Sequence, residues 1–312
     1  MSETIPNFFM VGAPKCGTSA MYSYLNTHPN IFLYPQKEPN FFSADLKGVR
    51  PSAPEKSLKQ YLRHFNSANT KIIGEGSTWY LYSQEAAYRI KKLNSSSKIL
   101  IMLRNPIEQM YSLHSQLVFG GLEKITNFEK ALLAEKSRKE GSNLPSNMRN
   151  LDNLSYKRLL YTDIAKYCAQ VERYLQAFPS NQVKIVIFDE FKANPKKSYL
   201  EVLDFLELDH SYLPDNFKVI NSNKVRILKG DYIQKIRTHP LILAPTRALI
   251  PYSIRRSAFK SLGRVWTKIN TRHESRQPIN PELKNKLISE FTPEVKALSN
   301  LIDKDLSHWI EV

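Results

Sequence analysis

The sequence predicts a single α/β domain with three layers, in which helices flank a central parallel sheet. The first half of the chain alternates short apolar runs with helical patterns, which is typical of parallel strands joined by crossover helices. One of these runs ends in a glycine-containing loop that leads directly into a helix. The 312 residues contain no internal repeat and no low-complexity tract. We therefore expect residues 1–312 to form one domain, with a basic C-terminal subregion at about residues 222–272.

Four apolar runs are predicted to be strands of this sheet. They are Asn7–Gly12, Lys71–Glu75, Lys98–Leu103 and Val183–Phe188. Residues 99–103 are apolar throughout, as is usual for a strand that is buried on both faces of a parallel sheet. Ligands of open parallel sheets bind at the carboxyl ends of the strands, so we expect the functional residues where these runs end.

Helical patterns separate and follow the predicted strands. The predicted helices cover Ser19–His28, Thr162–Phe178, Pro195–Leu206 and the chain from about Pro281 onwards. Another helix is predicted to begin after Asn105, which is followed by a proline in the first turn and a glutamate three residues after the cap. These three residue types at these positions are established signals of a helix start.

The composition is that of a folded protein without a membrane span. Hydrophobic residues make up 42% and charged residues 24% of the chain, and the longest apolar runs are far shorter than the roughly 20 residues that cross a bilayer. Residues 1–7 lack the charged start and apolar core of a signal peptide. The two cysteines, Cys16 and Cys168, cannot form a disulfide framework. We therefore expect a cytoplasmic protein.

The net charge of +16 is concentrated towards the C-terminus. Residues 222–272 contain twelve Lys or Arg residues and one acid, Asp231. Such a field attracts nucleic acid, acidic lipid or phosphorylated and sulfated ligands, and the alternative is a solvated basic face. Leu241–Trp266 mixes apolar and basic residues and is a candidate for peripheral membrane contact, although the prolines in and beside it argue against one long amphipathic helix.

The first predicted strand runs into the loop Gly12-Ala-Pro-Lys-Cys-Gly-Thr-Ser19. Glycines at such a turn let backbone amides approach an anion, and the N-terminus of the following helix adds partial positive charge. The loop resembles the phosphate-binding loop G-x-x-x-x-G-K-[ST], except that Thr18 occupies the lysine position and the lysine lies three places earlier, at Lys15. The loop therefore predicts an anion site with an altered lysine position.

The displaced lysine bears on the class of enzyme. A nucleotide kinase needs the loop lysine, a Mg²⁺ ligand and an Asp at a later strand end, whereas the third predicted strand ends in Leu103-Arg104-Asn105. An arginine in that place can hold a second phosphate through two parallel hydrogen bonds. The sequence thus predicts a ligand with two separate anionic groups and no obligatory metal ion. A phosphate-loop nucleotide kinase is the alternative; a basic nucleic-acid-binding protein is another, although no specific nucleic-acid-binding motif is present.

Two motifs together resemble those of the sulfotransferase family, and the resemblance covers nearly the whole chain. Residues 12–29 resemble the loop for the 5′-phosphosulfate, and Leu103–Ser112 resembles the motif in which an Arg and a Ser eight residues later hold the 3′-phosphate. The resemblance implies a P-loop-like fold and sulfuryl transfer from 3′-phosphoadenosine 5′-phosphosulfate (PAPS), with 3′-phosphoadenosine 5′-phosphate (PAP) as product. It assigns cofactor binding to Pro14, Lys15, Cys16, Gly17, Thr18, Ser19, Arg104 and Ser112.

The segment Gln36–Phe42 resembles the Lys-Glu…Phe-Phe segment of heparan-sulfate-type and many bacterial sulfotransferases. This resemblance implies that Glu38 is the general base and favours a carbohydrate acceptor, either a glycan or a glycolipid. Lipids and small metabolites are the alternative acceptors. Lys15 is the other catalytic candidate, because an ammonium group there can stabilise the charge that grows on the leaving phosphate. The Arg-Lys-Gly motif of the branch that acts on small molecules has only a loose counterpart, in Lys224–Gly230.

Two other residues compete with Glu38 for the role of base. His114 titrates near neutrality, but it lies two residues after Ser112 on the same predicted helix, so the two side chains point about 200° apart. Glu75 lies at the end of the second predicted strand, where the rim of the cleft is expected. Trp79 and Tyr80 are predicted either to contact adenine or acceptor or to belong to the core.

Overall fold

Five parallel strands form the central sheet in the computed structural model, which describes residues 4–46, 57–145, 154–217, 224–226, 269, 271–274 and 276–311. Their order across the sheet is β2 (Ile31–Leu33), β3 (Ile72–Gly76), β1 (Phe8–Gly12), β4 (Lys98–Leu103) and β5 (Val183–Ile187). All neighbouring pairs are parallel. The side chains of β1 and nearly all of β4 are buried because helices cover both faces of the sheet. The predicted fold class is confirmed.

The four predicted strands are present, and their limits differ from the prediction by at most one residue. Strand β4 has the predicted limits, and β1 begins one residue later than predicted. The sequence analysis missed β2, which is only three residues long and pairs with β3 at the edge of the sheet. A run this short carries too few residues for a recognisable periodicity.

The helices lie in the segments between and after the strands. They are α1 (Thr18–Leu25), α2 (Leu58–Leu62), α3 (Ala86–Leu93), α4 (Pro106–Phe119), α5 (Phe128–Leu133), α6 (Glu135–Lys139), α7 (Tyr161–Ala165), α8 (Cys168–Ala177), α9 (Phe188–Ala193), α10 (Pro195–Phe205) and α11 (Pro281–Ile302). Helix α4 begins as predicted, since Asn105 Oδ1 accepts hydrogen bonds from the amides of Ile107 and Glu108. Helix α1 ends three residues earlier than predicted.

The predicted single helix over Thr162–Phe178 is wrong, because the chain forms α7 and α8 with a break between them. Gln170 Nε2 donates to the carbonyl oxygens of Asp163, Ile164 and Lys166, which the break leaves without helical partners. The amide of Cys168 donates to Glu294 Oε1 on α11 at 2.6 Å. These contacts provide hydrogen-bond partners for the backbone groups at the break. The contact with Glu294 joins distant parts of the chain, so the local sequence pattern could not predict it.

The topology brings two strand-to-helix turns together. Strand β1 pairs with β3 on one side and β4 on the other, so the order of strands reverses there and a crevice opens at the carboxyl ends. The β1–α1 loop is tied to the next turn by two hydrogen bonds: the amide of Ala13 donates to the Met102 carbonyl at 2.7 Å, and Gln109 Nε2 donates to the Pro14 carbonyl at 3.1 Å. The loop with Lys15 therefore lies beside the start of α4.

Two short antiparallel strands, β6 (Lys224–Arg226) and β7 (Thr271–His273), form a separate ribbon that packs against α4. Most of the basic subregion at residues 222–272 lies outside the described residues, including Leu241–Trp266 and the Lys229-Gly230 pair. The assignment of residues 1–312 to one domain stays a prediction. Within the described parts of the chain, no helix combines the length and the apolar character that a membrane crossing requires.

Candidate active site

A cavity of about 730 Å³ opens at the carboxyl ends of the strands, which is a size typical of ligand sites. Among the described residues that line it, Glu38 is the only carboxylate and six side chains are cationic. The cations are Lys15, Lys37, Arg104, Arg158, Lys192 and Arg276. Like charges that are partly removed from water destabilise one another unless a counter-charge is bound. The lining therefore indicates a polyanionic ligand.

The loop between β1 and α1 contributes Pro14, Lys15, Gly17, Thr18 and Ser19 to this cavity. Lys15 and Gly17 both have left-handed backbone conformations, with φ of 71° and 85°. Glycine is required at position 17, because a Cβ atom there lies 3.0 Å from the Phe188 ring. Burial, followed by the guanidinium groups of Arg276 and Arg104, lowers the pKa of the Lys15 ammonium to about 8. Lys15 thus lies in a strongly positive field.

Lys37 joins this loop to Glu38, the expected base. Its Nζ donates to Thr18 Oγ1 at 3.0 Å and to Ser19 Oγ at 3.3 Å, and it lies 3.6 Å from Glu38 Oε1. Burial lowers the pKa of Lys37, while the Glu38 carboxylate raises it. The sequence analysis quoted Lys37 within a motif without giving it a role, and its place between the loop hydroxyls and Glu38 depends on the fold.

The Glu38 carboxylate is held in a fixed orientation at the cavity wall. Its Oε2 accepts from the amide of Thr78 and its Oε1 from the Thr78 hydroxyl, both at 3.0 Å. Its own amide donates to the Gly76 carbonyl at 2.9 Å. The side chain is 29% exposed, so it faces the cavity and remains reachable from it. These contacts suit a general base, because the carboxylate can accept a proton with little change in the orientation of its side chain.

A second group of polar side chains lies at the start of α4. The Arg104 guanidinium stacks 4.6 Å from the centre of the Phe188 ring, and its Nε donates to Glu108 Oε2 at 3.1 Å. Ser112 Oγ accepts from Arg276 Nη2 at 3.0 Å. Arg276 Nε is buried and has no hydrogen-bond partner among the described residues. Donors that converge in this way, with one of them unused, are arranged for an anion.

The sequence analysis did not identify Arg276 or Arg158 as site residues. Arg276 lies four positions beyond the basic subregion. The excess of basic residues in this part of the sequence could therefore have indicated it as a site residue. Arg158 lies with its guanidinium 5.4 Å from the Trp79 ring centre, and its Nε is buried without a partner in the described parts of the chain. Burial lowers the pKa of Arg158, and the Glu38 carboxylate raises it. No local pattern marked this residue.

Two residues of the predicted site point away from the cavity. His114 is 2% exposed, and its Nε2 lies 2.8 Å from the Ile125 carbonyl oxygen, as expected if Ser112 faces the cavity. Burial lowers the pKa of His114, which favours the neutral ring. The Cys16 thiol is buried 3.9 Å from the Tyr167 hydroxyl, and burial raises its pKa to about 12. Any contribution of Cys16 to ligand binding must therefore come from its backbone.

The third candidate base, Glu75, is fully buried below the cavity wall and does not line the cavity. Tyr80 is also fully buried and donates its hydroxyl proton to Glu75 Oε1 at 2.8 Å, so it belongs to the core. Trp79, by contrast, lines the cavity. Of the three predicted bases, the structure brings only Glu38 together with the loop that carries Lys15.

Comparisons with known proteins find sulfotransferases that are similar to this chain. Bifunctional heparan sulfate N-deacetylase/N-sulfotransferase 2 of Homo sapiens is 28% identical over 65% of this chain and 22% of its own length. Heparan sulfate glucosamine 3-O-sulfotransferase 5 of Mus musculus is 30% identical over 66% of this chain and 54% of its own length. The membrane-associated sulfotransferase kil1 of Dictyostelium discoideum is 22% identical over 73% of this chain and 66% of its own length. The chain thus matches only part of each of these relatives.

A solved structure and a family model extend the comparison along the chain. The crystal structure of a sulfotransferase from Alicyclobacillus acidocaldarius superposes with a TM-score of 0.70 and 27% identity, and the match covers 99% of this chain and 100% of that one. The model of the sulfotransferase domain matches residues 6–242, which is more than half of the sequence. This protein therefore belongs to the sulfotransferase family.

Proposed function

We propose that this protein transfers a sulfuryl group from PAPS to a hydroxyl or amine of a carbohydrate acceptor, either a glycan or a glycolipid. One observation carries the proposal: a single cavity combines a lysine-bearing phosphate loop, an arginine site on the neighbouring turn and one carboxylate, Glu38. Transfer from a donor with two separated anionic groups needs these three parts. The heparan sulfate enzymes among its relatives support the carbohydrate acceptor.

The side chains of the cavity fit the two anionic groups of PAPS. Lys15 and the hydroxyls of Thr18 and Ser19, at the N-terminus of α1, are suited to the 5′-phosphosulfate. Arg104, Ser112 and Arg276 are suited to the 3′-phosphate, and the unused Nε of Arg276 is a donor for it. We propose that the cofactor lies across the gap between the β1–α1 loop and the start of α4.

PAPS supplies an activated sulfuryl group, and the protein supplies charge and proton transfer. The Lys15 and Lys37 ammonium groups line the cavity at the phosphate loop, and we propose that they stabilise the negative charge that builds up on the phosphate oxygen as its bond to sulfur breaks. Glu38 takes the proton of the acceptor hydroxyl or amine as the new bond to sulfur forms, a step that typically contributes about 10²–10⁴-fold to the rate. Thr78 fixes the orientation of that carboxylate through two hydrogen bonds.

The acceptor is proposed to lie on the side of the cavity formed by Trp79 and Arg158, next to Glu38. A large ring and a stacked guanidinium offer a flat surface together with hydrogen-bond donors, which suits a sugar. The buried Nε of Arg158 is available for an acceptor oxygen. The acceptor must reach Glu38 and the transferred group at the same time, which restricts it to this wall of the cavity.

The kinase alternative has less support. Strand β4 leads into Arg104, and Glu38 is the only carboxylate among the described lining residues, already engaged by Thr78 and Lys37. A magnesium–nucleotide site instead uses a strand-end Asp and a lysine at the position that Thr18 occupies here. The donor set of the cavity therefore favours PAPS over a nucleoside triphosphate with magnesium.

Thermal unfolding with PAP, compared with ATP and magnesium, tests the cofactor. A ligand at about 100 times its dissociation constant adds about 2.7 kcal/mol to the free energy of unfolding and raises the midpoint by several degrees. We expect this rise with PAP in the absence of metal, and its loss in Arg104→Ala. A rise with ATP and magnesium alone supports the kinase instead. Transfer of radiolabelled sulfate from PAPS to de-N-sulfated heparin and to a neutral chitooligosaccharide then tests the acceptor class.

Three expectations from the sequence remain proposals. We propose that the basic subregion, residues 222–272, binds an anionic acceptor, the cofactor or an acidic membrane surface, that the protein has no specific nucleic-acid partner and that it is cytoplasmic. Sedimentation with anionic liposomes tests the membrane contact, and a variant with the basic residues of Leu241–Trp266 replaced by glutamine is the matched control. Equal sedimentation of the two proteins contradicts the contact.

A further inference from the structure

The buried carboxylate of Glu75 lies directly beneath the loop that carries Glu38. It is fully buried and accepts three hydrogen bonds. Its Oε1 accepts from the hydroxyls of Tyr61 and Tyr80, both at 2.8 Å, and its Oε2 accepts from the Ser77 hydroxyl at 2.7 Å. An ionised carboxylate can only accept, so all three hydroxyl protons point towards Glu75.

Two of these hydroxyls also hold the backbone of the Glu38 loop. The amide of Asn40 donates to Ser77 Oγ at 3.0 Å, and the amide of Phe42 donates to the Tyr80 hydroxyl at 3.2 Å. Each hydroxyl has one proton, which it donates in its hydrogen bond to Glu75. The lone pairs of the hydroxyl oxygen therefore remain available to accept from the loop amide. The direction of four hydrogen bonds thus depends on one carboxylate.

The loop needs such support because of its backbone. Glu38 and Asn40 have φ angles of 72° and 56°, in the left-handed region that residues with a side chain seldom adopt. Conformations of this kind persist only where the surrounding contacts over-determine them. The amide of Asn40, itself one of the two strained residues, and the amide of Phe42 are held by the hydroxyls of Ser77 and Tyr80, which follow β3.

We propose that Glu75 is a positioning residue whose ionised carboxylate sets the direction of the Ser77 and Tyr80 hydrogen bonds and so holds the Glu38 loop in its active position. The consequence for catalysis rests on the proposed role of Glu38 as base. The structural part, the hold on residues 38–42, does not depend on that role.

Protonation of Glu75 reverses this arrangement. A protonated carboxyl carries a donor. With the proton on Oε2 it points to Ser77 Oγ, which then no longer donates to Glu75 and divides its two lone pairs between the carboxyl and the Asn40 amide; with the proton on Oε1 it can point to Tyr61, which holds no loop amide. Burial raises the pKa of Glu75 to about 7, against the lowering effect of its three hydrogen bonds. The titratable groups that interact electrostatically with Glu75 are Glu38 and the phenols of Tyr22, Tyr61, Tyr80 and Tyr174.

The loop and the whole fold then respond to pH in opposite directions. The folded protein binds the Glu75 proton at a higher pH than the unfolded chain does. Its free energy of unfolding therefore gains a contribution as the pH falls from about 7 towards 4.5. Over the same range the ionised carboxylate that directs the Ser77 and Tyr80 hydroxyls is neutralised, so the hold on the loop weakens. If the protection of the loop depended only on global stability, it would instead increase as the pH falls.

Amide hydrogen exchange of the peptide covering residues 36–43 tests the proposal without donor or acceptor. Tyr80→Phe and Tyr61→Phe form a matched pair, since each removes one hydroxyl from Glu75 Oε1 but only that of Tyr80 also holds a loop amide. We expect exchange to become about tenfold faster or more in Tyr80→Phe and Glu75→Gln, and to stay within about twofold in Tyr61→Phe.

Equal exchange in Tyr80→Phe and Tyr61→Phe overturns the proposal, even if Glu75→Gln fails to fold. So does a wild-type loop whose protection, corrected for intrinsic exchange, rises together with global stability as the pH falls through 7. Turnover is measured separately with the acceptor that the radiolabel assay identifies. If Glu38 is not the base, the exchange of Tyr80→Phe still differs from that of Tyr61→Phe, but the two variants have the same turnover. Failure of the proposed base can therefore be distinguished from failure of the proposed positioning role of Glu75.

Discussion

Arg276 Nη2 donates a hydrogen bond to Ser112 Oγ at 3.0 Å, although the two residues are 164 positions apart in the sequence. Ser112 is on α4, whereas Arg276 precedes α11. Their contact lies in the proposed second anion site beside Arg104. Burial, together with the positive charge of both arginines, lowers the pKa of Lys15. The two halves of the cavity are thus electrostatically coupled before any ligand binds.

Replacement of Arg276 by alanine is expected to weaken PAP binding. A hydrogen bond to a charged group contributes about 1.5–3 kcal/mol, which corresponds to roughly a 10- to 150-fold loss of affinity. Calorimetric titration with PAP measures this loss. Arg63→Ala is the matched control, because Arg63 is exposed on the turn that follows α2 and is not among the residues that line the cavity. An equal loss of affinity in the two variants contradicts a specific role for Arg276.

PAP affinity is expected to fall as the pH rises through about 8, the pKa to which burial lowers Lys15. Above this pH the free protein has lost the Lys15 proton, and an anion favours the charged form, so binding takes up a proton. The affinity then falls by up to about tenfold per pH unit. Calorimetry in two buffers with different ionisation enthalpies measures the proton uptake. Lys15→Arg, which stays charged, should bind PAP without this proton uptake. If the uptake persists in that variant, the proton is bound by a group other than Lys15.

Glu38→Gln is expected to lower turnover by about 10²–10⁴-fold, because the amide cannot take the acceptor proton. PAP affinity should not fall, since the replacement removes a negative charge from a site for anions. Single-turnover transfer from PAPS, measured with the acceptor found in the radiolabel assay, separates the chemical step from binding. Glu85→Gln serves as control, because Glu85 pairs with Arg89 on α3 outside the cavity. Turnover near the wild-type level in Glu38→Gln rejects the base.

His114→Ala is expected to affect stability rather than catalysis. The ring is buried against Phe128 and Tyr161, and its removal leaves a cavity and an unpaired carbonyl of Ile125. We expect the free energy of unfolding to fall by about 1–3 kcal/mol. Denaturant unfolding measures this change. A loss of turnover like that of Glu38→Gln, with an unchanged midpoint of unfolding, restores His114 as a candidate base.

The features that could be predicted from the sequence have local causes. Strands β1 and β4 are apolar runs, the start of α4 is encoded by Asn105 and Pro106, and the loop with Lys15 depends on the spacing of Gly12 and Gly17. Each of these signals comes from neighbours in the chain, through hydrogen bonds and conformational preferences that act within a few residues. They were enough to place the fold class and the two anion-binding motifs.

Other features were decided only by contacts between distant segments. The break between α7 and α8 is capped by Glu294, Arg276 reaches Ser112 from the far end of the chain, and Arg158 meets Trp79. Glu38 and Glu75 are both carboxylates in predicted site segments, yet one faces the cavity and the other is buried under three hydroxyls. The sequence by itself determined which chemical groups the site can draw on; burial and long-range hydrogen bonding, which exist only once the sheet has formed, decided which of them face the ligand.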